Sequence, residues 1–109
     1  YPDRFPSPVK QLSLTEFGKL TFFEPDYDTF PLMNVCRRAI TIGGAAPAAV
    51  NGANEQAVAL FLNGKIPFLR IAELVQEATE HQKSVSDFSV EDIFAADLAA
   101  REFVLSKCR

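Results

Sequence analysis

The sequence predicts an all-α protein in which an extended, proline-rich N-terminal arm leads into a compact four-helix bundle. Prolines at positions 2, 6, 8 and 25 interrupt the first 27 residues and prevent a long helix at either end of that segment. From residue 28 onward, prolines fall at predicted helix starts, glycines at helix ends, and apolar residues recur every three or four positions. We therefore divide the chain into a linker arm, residues 1–27, and a C-terminal helical bundle domain, residues 28–109.

The bulk composition limits the function classes. With 109 residues, of which 48% are hydrophobic, the chain can bury one core and is too short for two ordinary domains. A net charge of -3, with no basic cluster larger than Arg37–Arg38, argues against nucleic-acid binding. No apolar run approaches the ~20 residues of a membrane span, and the first residues lack a signal-peptide pattern. Cys36 and Cys108 form no disulfide framework, so we expect free thiols in a reducing compartment.

The arm carries apolar residues that need covering, namely Leu12, Leu14, Leu20, Phe22 and Phe23. We therefore expect the arm to lie on a surface, and short strand pairing around the LTFF stretch remains open.

The first two helices of the bundle are predicted at residues 29–42 and 46–63. The first takes Asp28 or Thr29 as its N-cap and ends at Gly43. Its apolar stripe comprises Leu32, Val35, Cys36, Ala39 and Ile40. The second has Pro47 near its start and Gly64 after its end, and its apolar side comprises Val50, Ala53, Ala57, Leu60 and Phe61.

The third and fourth helices are predicted at residues 68–82 and from Ser89 to about residue 107. The third buries Phe68, Ile71, Leu74, Val75 and Ala78. The fourth has Glu91 and Asp92 in its first turn, where carboxylates suit the helix dipole. Its stripe contains Ile93, Phe94, Leu98, Val104 and Leu105, and Phe103 falls off that stripe as an exposed residue. Four helices joined by short loops predict antiparallel packing.

Three features have both a functional and a structural interpretation. The acidic residues Glu24, Asp26 and Asp28 could bind a cation, but their spacing fits a capping turn better. Gly43 and Gly44 precede a helix and could bind phosphate, but without a P-loop lysine a tight turn between helices is favoured. His81, the single histidine, is expected on the solvated surface.

A set of five polar residues is the remaining candidate site. Asn51, Asn54 and Glu55 lie at or inside the apolar face of the second helix, while Asp97 and Arg101 lie four apart at the centre of the fourth. Buried polar groups need partners, so we predict one hydrogen-bonded network, either between the two helices or gripping the backbone of the arm. The alternative is an acid/base active site. No nucleophile, metal set or cofactor loop accompanies these residues, so we predict no catalytic, cofactor-binding or metal-binding residue in this chain.

Three stretches together resemble a known family. They are LTFFEPDYDTFPLMNVCRRAI, GGAAPAAVNGANEQAVALFLNGKIPFLRI and DLAARE. Their order is similar to the C-terminal portion of 1-deoxy-D-xylulose 5-phosphate reductoisomerase, and the resemblance covers essentially the whole chain. The shared elements include Pro2, Arg4, Pro25-Asp26, Phe30-Pro31, Asn51-x-x-Asn54-Glu55 and Ala100-Arg101-Glu102.

The resemblance implies a supporting domain of a larger enzyme. That family makes 2-C-methyl-D-erythritol 4-phosphate in the non-mevalonate route to isoprenoids, uses NADPH with Mn or Mg, and is the fosmidomycin target. Its NADPH-binding and catalytic domains would lie upstream as partners, in a homodimeric parent. The chain itself would bind no cofactor and no membrane, and would lie in the cytoplasm of a bacterium or in a plastid stroma or apicoplast.

One residue departs from the family pattern, and one alternative function stays open. Gly52 stands where the family usually shows Ala, at a position that the helical periodicity places on the outward face. The alternative function is a free-standing helical interaction module whose arm and Phe103 dock a partner.

Overall fold

The computed structural model describes residues 2–81 and 88–108 of the chain, and within them it contains helices and no strand. The helices are α1 Leu14–Phe17, α2 Leu32–Ile42, α3 Ala46–Leu62, α4 Arg70–Glu80 and α5 Val90–Ser106. The predicted all-α class is confirmed, and α2 to α5 occupy the four predicted positions. Among the described residues, none of the helices has the length and apolarity that a membrane span needs.

The arm contains one helical turn that the sequence analysis did not predict. Ser13 begins α1, and its hydroxyl oxygen accepts a hydrogen bond from the Glu16 N–H at 3.4 Å. The LTFF stretch forms no strand. Phe22 and Phe23 are each 87% exposed, so the described residues do not supply the surface that we expected to cover them. The division into an arm and a domain at residue 27 stays a prediction.

Helix α2 begins three residues later than predicted, with Pro31 as its N-cap. The residue that precedes a proline is disfavoured in the helical region, and here that residue is Phe30. Neither Asp28 nor Thr29 caps α2, which has no side-chain cap. The Asp26 carboxylate instead stabilises the turn before the helix, because it accepts from the Thr29 N–H at 2.9 Å and from the Thr29 hydroxyl at 2.7 Å. The acidic run therefore forms a hydrogen-bonded turn ahead of α2, but the prediction that it caps the helix was wrong.

Helix α3 is the centre of the bundle, with α2, α4 and α5 all packed against it. Its buried residues are small, namely Ala46, Ala49, Val50, Gly52, Ala53 and Ala57. Helix α4 contributes larger groups to the core, namely Ile71, Leu74, Val75 and Ala78. Ala39, Ala100 and Val104 complete the core from α2 and α5. Because the buried side chains of α3 are small, its neighbours can approach its backbone closely.

Several residues predicted in the core are exposed instead. Ile40 is 73% exposed and Cys36 is exposed, because only the Ala39 side of α2 faces α3. Phe68 is 66% exposed because it precedes α4, although its ring meets that of Phe61 edge-on with centroids 5.6 Å apart.

The loops and caps follow the predicted punctuation. Gly43 and Gly44 both adopt positive φ, at 72° and 55°, and join α2 to α3 in the tight turn that we expected. Ser89 caps α5 in a capping box with Asp92. Helix α4 is described to Glu80, and its predicted end at residue 82 lies outside the described residues.

Candidate functional site

The candidate site lies where α3 crosses α5, and α5 approaches the α3 backbone closely at Gly52. Gly52 is buried, contrary to its predicted place on the outward face of the helix. A Cβ atom on this residue would lie 2.6 Å from Asp97 Oδ1 and 2.8 Å from the Asp97 carbonyl oxygen. The prediction was wrong because helical periodicity cannot tell which side of a small-residue helix receives a neighbour. Glycine at this position lets the Asp97 turn of α5 sit directly on α3.

The structure places four of the five predicted polar residues in one chain of contacts. Arg101 donates from Nε to Asp97 Oδ2 at 2.7 Å and from one terminal nitrogen to Asp97 Oδ1 at 3.2 Å. The same terminal nitrogen donates to Glu55 Oε2 at 2.6 Å, which links α5 to α3. Asn51 Nδ2 donates to Glu55 Oε1 at 3.3 Å. We call these four residues, Asn51, Glu55, Asp97 and Arg101, the crossing network.

The crossing network favours the ionised forms of Glu55 and Arg101. Hydrogen bonds from Arg101 and Asn51 lower the pKa of the Glu55 carboxyl below its ordinary value. The two carboxylates in turn raise the pKa of the Arg101 guanidinium, with Asp97 contributing most. The side chains of Asp97 and Arg101 are 29% exposed and that of Glu55 is 55% exposed, so water still reaches the network. A carboxylate whose pKa is lowered by an arginine is a weaker base, which favours a structural role over acid/base catalysis.

Asn54 lies apart from the crossing network. Within residues 2–81 and 88–108, no side-chain hydrogen bond joins Asn54 to the other four. It lines a largely apolar groove of about 370 Å³ between α2 and α3, together with Asn51, Cys36 and Ile40. The arm does not contact these residues through a side-chain hydrogen bond in the part of the chain that the structure describes.

A second polar cluster, which the sequence pattern did not predict, joins α4 to α5. Glu77 accepts from Arg70 at 3.0 Å and pairs with Lys107 at 3.4 Å. Burial acts to raise the pKa of Glu77, but the hydrogen bonds from Lys107 and Arg70 outweigh it and lower that pKa. Lys107 Nζ also lies 5.0 Å from the centroid of the Phe103 ring. The spacing of seven residues places Arg70 and Glu77 on one face of α4, which was the available signal for this cluster. No sequence pattern indicated that Lys107 of the α5 end would join them.

Phe103 and His81 meet at this second cluster. Their ring centroids are 4.8 Å apart, and Phe103 is half-buried against the core. The prediction that Phe103 is an exposed docking residue was therefore wrong, because α4 packs on that side of α5. His81 is exposed, as expected for a surface residue, and its Nδ1 lies 2.8 Å from the Glu77 carbonyl oxygen.

The described residues contain no group of three or more His, Cys, Asp or Glu side chains arranged to hold a metal ion. A larger groove, about 550 Å³, is apolar and lies between the turn before α2 and the start of α4, where Phe30, Met33, Phe68 and Leu69 line it.

Comparison with known families identifies the chain. The family model for the DXP reductoisomerase C-terminal domain matches residues 1–103. The chain belongs to this family. This match confirms the resemblance that the sequence motifs indicated.

Relatives and a solved structure agree with this assignment. The chain is 43% identical over 108 residues to 1-deoxy-D-xylulose 5-phosphate reductoisomerase of Caldanaerobacter subterraneus, which covers 98% of the chain and 28% of the relative. It is 46% identical over 99 residues to the enzyme of the same name from Caulobacter vibrioides, covering 91% and 25%. The Zymomonas mobilis reductoisomerase in complex with NADPH superposes with a TM-score of 0.82 at 38% identity, over 100% of the chain and 29% of that structure. The chain thus spans between a quarter and a third of the proteins that it matches.

Proposed function

We propose that the chain is the non-catalytic C-terminal domain of an NADPH-dependent 1-deoxy-D-xylulose 5-phosphate reductoisomerase. The observation that carries the proposal is the match of residues 1–103 to the C-terminal domain model, together with coverage of only 28% of a full-length relative. The parent would isomerise and reduce its substrate to 2-C-methyl-D-erythritol 4-phosphate, with NADPH and Mn or Mg bound upstream of this chain. A bacterial parent would work in the cytoplasm as a homodimer.

The domain itself would buttress the upstream catalytic domain. Within the bundle, the crossing network supplies the tie between α3 and α5 that keeps the two helices in register. The network suits this role because Arg101 engages both carboxylates in short hydrogen bonds, which leaves neither Glu55 nor Asp97 free as a general base. Asn54, which lies outside the network, would line the groove between α2 and α3 and take no part in the tie between α3 and α5. The membership of the chain in this family argues against the free-standing interaction module.

A single assay tests the assignment of the chemistry. The full-length parent and the 109-residue chain are each mixed with 1-deoxy-D-xylulose 5-phosphate, Mn²⁺ and NADPH, and NADPH oxidation is followed by absorbance. We expect turnover by the parent and none by the chain alone. A parent that does not oxidise NADPH contradicts the reductoisomerase assignment. Turnover by the chain alone contradicts the placement of the chemistry upstream.

A second measurement tests the buttressing role. A parent truncated after residue 27 of this numbering lacks the bundle but retains the arm. We expect its melting temperature to fall below that of the full-length parent, because the catalytic domain loses a packed neighbour. Equal melting temperatures and equal turnover would contradict the role.

A further inference from the structure

Helix α5 presents a second apolar stripe beside its buried face. Its members are Val90, Phe94, Leu98 and Leu105, which are 62%, 70%, 57% and 40% exposed. At about 100° per residue, these four positions fall within roughly 80° of the helix surface. Ala100 and Val104, the buried residues of α5, form the neighbouring face, whose centre lies roughly 105° around the helix from that of the four. We call the four residues the outer stripe.

The outer stripe marks α5 as a helix that needs a neighbour on two sides. A surface helix normally has one apolar face, whereas α5 carries apolar side chains both on its buried face and on the outer stripe. Contiguous exposed apolar side chains of this kind mark an interaction surface. Ala95 and Ala99 adjoin the stripe and are exposed, so a partner could come close to the α5 backbone.

Acidic residues border the outer stripe on both sides. Glu91 and Glu102 lie along one edge and are exposed. Along the other edge lies the crossing network, in which the two carboxylates of Glu55 and Asp97 face the single positive charge of Arg101. Both edges therefore carry net negative charge. Two copies of the chain that packed stripe to stripe would bring like charges together, which costs free energy.

We propose that the outer stripe docks on the upstream part of the same polypeptide, through an apolar patch bordered by Lys or Arg. This inference rests on the proposed function and names the surface by which the domain would meet its partner. About 28% of a full-length relative aligns with this chain, so most of the polypeptide lies outside it and is tethered to it. Tethering gives that region a high effective concentration at the stripe, which a separate molecule would lack.

The test measures the accessibility of the stripe with and without the upstream region. Leu98→Cys is introduced into the full-length parent and into the 109-residue chain, and maleimide labelling is followed peptide by peptide with mass spectrometry. Gln76→Cys, on the exposed side of α4, is the matched control. We expect the Leu98→Cys site to label at least tenfold more slowly in the parent than in the chain, while the Gln76→Cys rate stays the same. Phe94→Cys repeats the measurement if Leu98→Cys does not fold.

Three outcomes would overturn the inference. Equal labelling of the stripe in parent and chain removes the docking surface. Slow labelling in the isolated chain that strengthens with protein concentration assigns the stripe to a second copy. The third outcome concerns a parent that carries both Glu91→Lys and Glu102→Lys. If Leu98→Cys is still protected from labelling in that parent, the partner surface has no basic border. None of these outcomes depends on turnover. A parent that oxidises NADPH while its outer stripe labels freely would contradict the docking inference and leave the proposed function intact.

Discussion

Single residues at the α3–α5 crossing determine how closely the two helices approach. Gly52 leaves room for the side chain and the carbonyl oxygen of Asp97, and Asp97 in turn orients Arg101 towards Glu55. The sequence identified the polar residues, because amides and carboxylates within an apolar stripe are unusual. It misplaced Gly52, because a glycine has no side chain from which periodicity can assign a face.

Replacing Gly52 with Ala is expected to destabilise the domain. The added methyl group improves helix propensity by about 1 kcal/mol. It also overlaps Asp97 at 2.6 and 2.8 Å, and overpacking of this kind costs about 1–3 kcal/mol. Because one of the two contacts is backbone, the helices must shift, and we expect a lower urea midpoint for Gly52→Ala. Adding Asp97→Ala removes the side-chain overlap only, so the double variant should regain less than the whole loss. A Gly52→Ala variant more stable than the wild type would show that α5 can move freely.

The Arg101→Ala substitution tests the crossing network. It leaves Glu55 and Asp97 as neighbouring carboxylates without their shared donor, and we expect the melting temperature to fall by several degrees. Arg38→Ala, at an exposed arginine of α2, is the control and should leave the melting curve unchanged. An unaltered melting temperature for Arg101→Ala would mean that the network contributes nothing to stability.

Individual helices followed their local signals where a cap or breaker was present. Ser89 and Asp92 began α5 at the predicted residue, and Gly43 ended α2. The start of α2 was placed too early because Asp28 and Thr29 resemble N-caps, whereas Pro31 restricts the residue before it. Faces were less predictable than ends. Helices α3 and α5 are apolar on more than one side, so their patterns did not identify a single buried face.

The capping box of α5 gives a prediction at the level of the helix. In the wild type, the Asp92 N–H donates to Ser89 Oγ at 3.2 Å, and the Ser89 hydroxyl donates to Asp92 Oδ2 at 2.9 Å. The Ser89→Ala variant loses both hydrogen bonds. We expect a loss of about 1 kcal/mol in the free energy of unfolding, measured with urea. Ser106→Ala, at the other end of α5, provides the comparison and should cost less. Equal losses for the two variants would argue against the cap.

At the scale of the whole molecule, both the arm and the bundle have many exposed apolar side chains. Phe5, Phe22 and Phe23 in the arm are each 87% exposed, and the outer stripe of α5 adds another apolar surface. A chain that spans 28% of a full-length relative is expected to expose the surfaces that the rest of the protein covers. Under the proposed function, the exposed residues of the arm and of α5 are the surfaces that the upstream region would cover.

The ionised carboxylates give the molecule an acid-sensitive stability. The pKa values of Asp26, Glu55, Glu77 and Asp92 are all lowered in the folded state, from ordinary values of 3.8 for Asp and 4.5 for Glu. The unfolded chain therefore binds more protons in this range, so stability is fully present above the ordinary values and is lost as the pH falls through the lowered ones. We expect a flat melting temperature above about pH 6 and a decline below about pH 4.5.

Two carboxylates can be removed to test this pH dependence. Glu55→Gln combined with Asp92→Asn should make the acid decline shallower, because two of the linked groups no longer titrate. Glu24→Gln, in the exposed arm, should leave the profile unchanged. A decline of the same slope in the double variant would assign acid sensitivity to other groups.

The sequence alone determined the all-α class, the approximate positions of α2 to α5 and the family. These depend on information that is local in the chain, namely caps, breakers, apolar spacing and the order of short motifs. Tertiary structure decided which faces are buried, where Gly52 lies, and which acids pair with Arg70, Lys107 and Arg101. Those outcomes depend on how neighbouring helices cross, and the crossing is set by contacts between residues far apart in sequence, such as Glu55 and Arg101. No local pattern encodes that distance, so only the folded chain could show it.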